Sequence, residues 1–241
     1  MSYRDTHATQ EAADNYLKNV YGPRTFDTWL WRHEKRALRE IIEGCCSSRK
    51  NYLDFACGTG RIIETVAPLF ENSTGVDVSA EMLKHARSKM SVPQLLELDL
   101  TTDDQSAPGP FDLITAFRFL VNAESDLRRA ALKALRQRIA TDGLLVVNNH
   151  SNPVSTKVVT STIGRISGRG SGGTSLSMRV ATDELERAGF VVVDVVGVGV
   201  LTSSLYRLLG ERAAERAESL AVRSSLVQRY CTTQILVCRP A

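Results

Sequence analysis

Five short apolar runs between residues 50 and 150 constrain the fold more than any other feature of the chain. They read "KNYLDFA", "STGVDVS", "QLLELDL", "FDLITAF" and "GLLVVNNH". Amphipathic helical patterns follow the first, second and fourth. These are "GRIIETVAPLF", closing near Pro68 or Phe70, "SAEMLKHARSKM", with Ser79 as N-cap, and "ESDLRRAALKALRQRIA", ended by "TDG". Apolar strands that alternate with helices form a parallel sheet covered on both faces, so an α/β fold is expected.

Outside this stretch the rhythm loosens. Residues 10–22 and 26–44 read as helices, separated by the breaker "YGP" at 21–23. After His150 come a Gly/Ser-rich loop at 166–175, a capped helix "ATDELERAGF", a long apolar strand at 190–200, a helical stretch at 203–223 and a last strand "YCTTQILVC". A length of 241 residues suits one sizeable domain. We divide it into an N-terminal helical arm (1–48), a core (49–150) and later segments with the final strands (151–241). A net charge of +3 is too mild to point to nucleic acid, and there is no basic strip interleaved with aromatics. The polar start "MSYRDTHATQ" and the absence of a long apolar run give a cytoplasmic expectation. The five cysteines fit no zinc spacing and read as reduced thiols, and no metal is expected.

The turn "LDFACGTGR" (53–61) carries the first chemical signal. A dinucleotide fingerprint needs a third glycine, but Gly58 and Gly60 are followed by Arg61, Ile62 and Ile63. No Lys-Ser/Thr follows either, which excludes a P-loop. Asp54 stands at the strand end instead, where an anion repels a pyrophosphate and welcomes an ammonium group. Asp77 ends the second strand, from which a carboxylate can accept from two ribose hydroxyls. Asp99 ends the third, where an exocyclic adenine amine can be read. Each acid also has a plain structural reading, as a cap or a turn residue; their order along the chain is what decides.

With "GVDVSAEML", "ELDLTT", "FDLITAFRFLVN" and "GLLVVNN", this ordered set resembles the class I S-adenosylmethionine-dependent methyltransferases over about residues 50–150. The resemblance implies a Rossmann-like seven-stranded, mostly parallel sheet with its last strand reversed. It also implies S-adenosyl-L-methionine across the carboxyl ends of the strands. Asp54, Ala56 and the Gly58–Gly60 backbone would hold the methionine moiety and Asp77 the ribose. Asp99 and Leu100 would contact the adenine, with Val78 on its face. Phe117 would lie near the sulfonium, and Tyr16 (or Tyr21) of the arm would close over the cofactor.

The acceptor side is less explicit. An alcohol acceptor needs a base, and His150 in "NNHSNP" lies at the end of the fifth strand, with His33 of the arm ranked second. Arg118 and Asn122 follow the fourth strand and could hold an anionic or sugar acceptor; a surface arginine paired with Glu124 or Asp126 is the plainer reading. The N/D-P-P-Y/F/W motif of amino methyltransferases acting on nucleic acids is absent after that strand. A methyltransferase acting on the hydroxyl of a small molecule or glycan is therefore expected, with a protein or RNA methyltransferase, or a non-catalytic binding module, as alternatives. Self-association is left open. Residues 199–228 depart from a simple hairpin between the last two strands. They read as a substrate lid, as a basic amphipathic surface for an anionic, lipid-linked substrate, or as a solvated face with Glu211, Glu215 and Glu218 paired at helical spacing.

Overall fold

The computed structural model describes residues 25–90, 93–102, 109–155 and 175–241. Tyr16, Tyr21, the helix expected at 10–22 and most of the Gly/Ser loop lie outside these residues.

The described chain opens with α1 (Phe26–Cys45), whose N-cap Thr25 accepts from the Thr28 amide. The core then runs β1 (Asn51–Phe55), α2 (Arg61–Val66), β2 (Asn72–Asp77), α3 (Ala80–Lys89), β3 (Gln94–Glu97), β4 (Phe111–Ala116), α4 (Ser125–Arg138) and β5 (Ile139–Asn149). There follow α5 (Met178–Arg187), β6 (Phe190–Val198), the short helices α6 (Ser203–Leu209), α7 (Glu211–Ala221) and α8 (Ser225–Gln228), and β7 (Thr233–Pro240). The seven strands form one sheet in the order β3-β2-β1-β4-β5-β7-β6. β1 to β5 pair in parallel, and β7 is antiparallel to both neighbours. The expected seven-stranded architecture with one reversed strand is what the chain adopts.

Strand periodicity sorts the core into two layers. Consecutive side chains point to opposite faces. Tyr52, Leu113, Leu144, Val146 and Val237 pack under α1 and α2. Their chain neighbours Leu53, Ile114, Leu145, Val147 and Leu236 pack with residues of α4 and α5. The order reverses between β1 and β4, which opens a crevice at their carboxyl ends where ligands bind in such sheets.

Three boundaries differ from the sequence reading. "TDG" does not stop α4 as a loop, because Ile139 is already extended and its side chain is buried. β4 advances from Phe111 to Leu113 while β5 advances from Ile139 to Leu144, so the extra residues bulge within β5. Gly143 fits there because a Cβ would lie 2.9 Å from the Phe111 carbonyl. α5 starts upstream of Ala181, capped by Ser177. The helix expected over 203–223 breaks at Gly210, whose φ of +74° ends α6 and starts α7. No helix among the described residues is long and apolar enough to cross a membrane.

Candidate cofactor and acceptor site

The turn after β1 is built from left-handed backbone. Ala56, Gly58 and Gly60 have φ values of +53°, +54° and +84°. The Cys57 amide still donates to the Val76 carbonyl of β2 at 3.0 Å, so the strand register carries into the turn. The two glycines serve different needs. A Cβ on Gly58 would meet nothing within 4 Å, whereas one on Gly60 would run into the Met90 methyl and lie 3.0 Å from the Ala86 Cβ of α3. Gly60 lets α3 approach, and Gly58 leaves backbone open toward the cleft. A non-glycine residue in this region costs roughly 1–2 kcal/mol. Among the described residues Ala56 is one, and Arg118 just past β4, with φ +58°, is the other. Both stand at the crevice.

A cleft of about 870 Å³ opens at this rim, inside the range typical of small-molecule sites. Asp54, Ala56, Gly58, Asp77, Val78 and Asp99 line it, together with Phe117, Arg118, Asn122 and His150. The structure thus brings ten of the sequence-derived candidates to one cavity. Gly60 and Leu100 are not on its wall: Gly60 faces α3, and the Leu100 side chain is buried in the core. His33 does not line the cleft. It is buried on α1, 4.6 Å from the Trp29 ring between centroids, away from the cleft. Burial holds its pKa below the usual histidine value despite Glu215 and Glu218 nearby.

The three acids are held in different ways. Asp54 is buried, accepting from the Ile63 amide of α2 at 3.1 Å and from the Thr115 hydroxyl at 2.7 Å. Thr115 in turn lies 2.6 Å from the Tyr52 hydroxyl. Burial outweighs these bonds and Arg61, and pushes Asp54 up to about 7. Asp77 accepts from the Gly58 amide at 2.7 Å and the Ser79 amide at 2.9 Å. Asp99 accepts from the amide and hydroxyl of Thr101. An anionic carboxylate held on backbone amides at the cleft suits a ribose diol, and the open backbone at Gly58 suits a ligand that packs on the chain itself. The residues present fit an adenosyl cofactor carrying an ammonium group.

Opposite them, the Arg118 amide donates to the buried Asn148 side chain at 2.6 Å, and Asn122 donates to the Arg118 carbonyl at 2.7 Å. Asn122 is thus engaged in holding the strained turn. Asp126, one acid weighed as a partner for Arg118, pairs with Arg129.

Two arrangements escaped sequence reasoning. Arg128 lines the cleft, with its guanidinium on both Glu184 carboxylate oxygens, at 2.6 and 3.2 Å, and on the Leu120 and Ala123 carbonyls. In the sequence it is one basic residue on a helix like its neighbours. Arg61 of the turn lies 4.2 Å over the Trp31 ring and 3.6 Å from the fully buried Glu34, so α1 grips the glycine turn. Thr115, a fully buried polar residue of β4, was the available signal for the buried network behind Asp54.

Residues 53–145 match the family model described as a methyltransferase domain. Over these residues the chain is similar to a methyltransferase domain. The chain is 28% identical over 123 residues to the mitochondrial ubiquinone biosynthesis O-methyltransferase of Schizosaccharomyces pombe, a stretch covering 49% of this chain. That stretch spans 44% of the relative, so the chain matches less than half of the relative's length. Solved structures share the fold. Magnesium protoporphyrin IX methyltransferase from Synechocystis PCC 6803 with bound SAH superposes with a TM-score of 0.64 at 13% identity, over 99% of this chain and 97% of that one. The N-methyltransferase NodS from Bradyrhizobium japonicum WM9, in complex with S-adenosyl-L-homocysteine, gives 0.61 at 17% identity over 97% and 98%. The mitomycin 7-O-methyltransferase MmcR gives 0.66 at 15% identity over 100% and 61%. The protoporphyrin methyltransferase and NodS structures both hold S-adenosyl-L-homocysteine.

Proposed function

We propose that this methyltransferase transfers a methyl group to a hydroxyl of a small molecule or glycan, with His150 as the base. The observation that carries the reading is the position of His150. It follows β5 directly and stands on the wall of the same cleft as Asp77 and Arg118.

When bound, the cofactor supplies an electrophilic methyl on a sulfonium. The chain must hold it, orient the acceptor and remove a proton. Asp77 is assigned to the ribose hydroxyls, Asp54 and the Gly58 backbone to the methionine end, and Asp99 and Val78 to the adenine. Phe117, buried at the end of β4, closes the cavity near the reacting centre and excludes water. Arg118 is assigned to an anionic or sugar acceptor. As carbon–oxygen bond formation proceeds, the acceptor's hydroxyl proton passes to the His150 imidazole. The relative named for ubiquinone biosynthesis O-methylation supports oxygen as the acceptor atom.

The test is turnover of the purified protein with labelled S-adenosyl-L-methionine over a panel of phenols, alcohols, sugars, carboxylates and amines. Transfer to hydroxyls is expected, with loss in His150→Ala. Transfer confined to amines, or full turnover by His150→Ala, would reject the assignment.

A further inference from the structure

The insertion between β6 and β7 buries only part of itself. α6 and α8 contain no buried residue. Short helices are not stable in water by propensity and depend on packing an apolar face. Here much apolar surface is left out. Leu208 is 81% exposed, Leu226 68%, Leu220 66% and Tyr230 52%, with Leu205 and Leu209 near 40%. Every exposed leucine among the described residues lies in this segment. Clustered apolar exposure of this kind marks a contact surface.

Charge says what the surface fits. The segment 203–230 holds three glutamates and five arginines. All three glutamates are turned inward or engaged. Glu211 pairs with Arg32 and Glu215 with Arg36, both on α1, the latter at 3.0 Å. Glu218 is fully buried and accepts from the Gly199, Val200 and Leu201 amides at 2.6 to 3.3 Å. The arginines Arg207, Arg212, Arg216, Arg223 and Arg229 are all exposed and form no ion pair with an acid among the described residues. On α7, Glu211, Ala214, Glu215 and Glu218 share the face toward α1, and Arg212, Arg216 and Leu220 fall at helical spacing on another. Exposed leucines and a tyrosine interleaved with unneutralised arginines match a lipid surface with anionic headgroups, not the interior of a protein complex.

We propose that α6–α8 form a peripheral docking surface for an anionic lipid bilayer, with the leucines entering the headgroup boundary and the arginines on lipid phosphates. The reversed β7 puts this surface on the same rim of the sheet as the cleft, because β6 ends and β7 begins there. The inference stands apart from the identity of the methyl acceptor.

Co-sedimentation of the full chain with vesicles tests it. Binding to vesicles of phosphatidylglycerol and phosphatidylcholine in equal parts is expected to exceed binding to phosphatidylcholine alone by at least about tenfold, and to fall with salt. The double variant Arg212→Gln/Arg216→Gln should lose most of that preference. Leu208→Asp/Leu226→Asp should abolish binding to either vesicle. Both alter exposed positions, and S-adenosylhomocysteine affinity, measured in parallel, should stay unchanged. Wild-type protein left in the supernatant with both vesicles would overturn the proposal. So would binding indifferent to the leucine variants, or a solution dimer that Leu208→Asp dissociates, which would make the face a contact between copies.

Discussion

On the β1–β2–β3 side of the cleft, backbone holds side chains: amides of Gly58 and Ser79 fix Asp77, and the Ile63 amide fixes Asp54. On the β4–β5 side, side chains hold backbone: Asn148 and Asn122 fix the amide and carbonyl of Arg118. The first side is set by the shape of one turn and the strand ends beside it. The second depends on residues that meet across 30 or more positions, such as Arg118 with Asn148 and Arg128 with Glu184. The side proposed for the cofactor thus rests on local backbone, and the side proposed for the acceptor on contacts between distant side chains.

The largest expected effect tests the acceptor side. His150→Ala should cut kcat by about 10²–10⁴-fold, the range for a positioned base, while the calorimetric affinity for S-adenosylhomocysteine barely moves. If affinity falls instead, the histidine belongs with the cofactor and the contrast between the sides collapses.

Two glycine variants sharpen the backbone side. Gly60→Ala combines a positive φ with a clash against α3 and should cost about 2–4 kcal/mol of stability, read from urea unfolding. Gly58→Ala meets open space and should cost only about 1–2 kcal/mol, with its main loss in cofactor affinity. Equal destabilisation by both would show that Gly58 is structural too.

Asp77→Ala should weaken S-adenosylhomocysteine by about 1–3 kcal/mol through lost charged hydrogen bonds. Tight NAD binding by the wild type, with no adenosylhomocysteine binding, would remove the basis of that expectation.

Asp54 offers a pH test. Its folded value of about 7 lies above the ordinary 3.8, so the fold favours its protonated form. That contribution to stability is complete below pH 4 and is lost as pH rises through 7. A ligand ammonium favours the carboxylate, so S-adenosylhomocysteine affinity should grow by up to about tenfold per pH unit below 7 and level off above it. Asp54→Asn should flatten the profile. A wild-type affinity independent of pH between 5.5 and 8 (a span of roughly two units around that value) would place the ammonium elsewhere.

The smallest effect belongs to the exposed pairs between α1 and α7. Arg36→Ala should change stability by less than about 1 kcal/mol in thermal unfolding, because the pair is open to water.

Most of the sheet was legible in the sequence because buried parallel strands leave long apolar runs and each turn names its residue. "LDFACGTGR" placed Asp54 and Gly58, and the strand-end acids placed Asp77 and Asp99, all of which reach one cleft. The residues that escaped are fixed by tertiary distance. His33 looked available because a helix pattern does not show which flank will be buried; it packs on Trp29, and α7 brings Glu215 and Glu218 near it. The grip of Glu34 on Arg61 joins two helices with no shared motif. "TDG" reads as a stop by composition, yet the register of β4 against β5 turns it into a bulge within a strand.

The reversal of β7 has a consequence for how such a protein can change over generations. Chain leaves β6 and enters β7 at neighbouring points on one rim, so whatever lies between them closes on itself without disturbing the pairing of any strand. Strand pairing does not depend on what joins β6 to β7, although here Ala214 and Glu218 of α7 are buried against the rest of the fold. Residues 199–232 are therefore the place where a new destination or a new acceptor can be acquired by exchange of a single segment, and grafting this one onto a plain methyltransferase should carry its surface properties along with it.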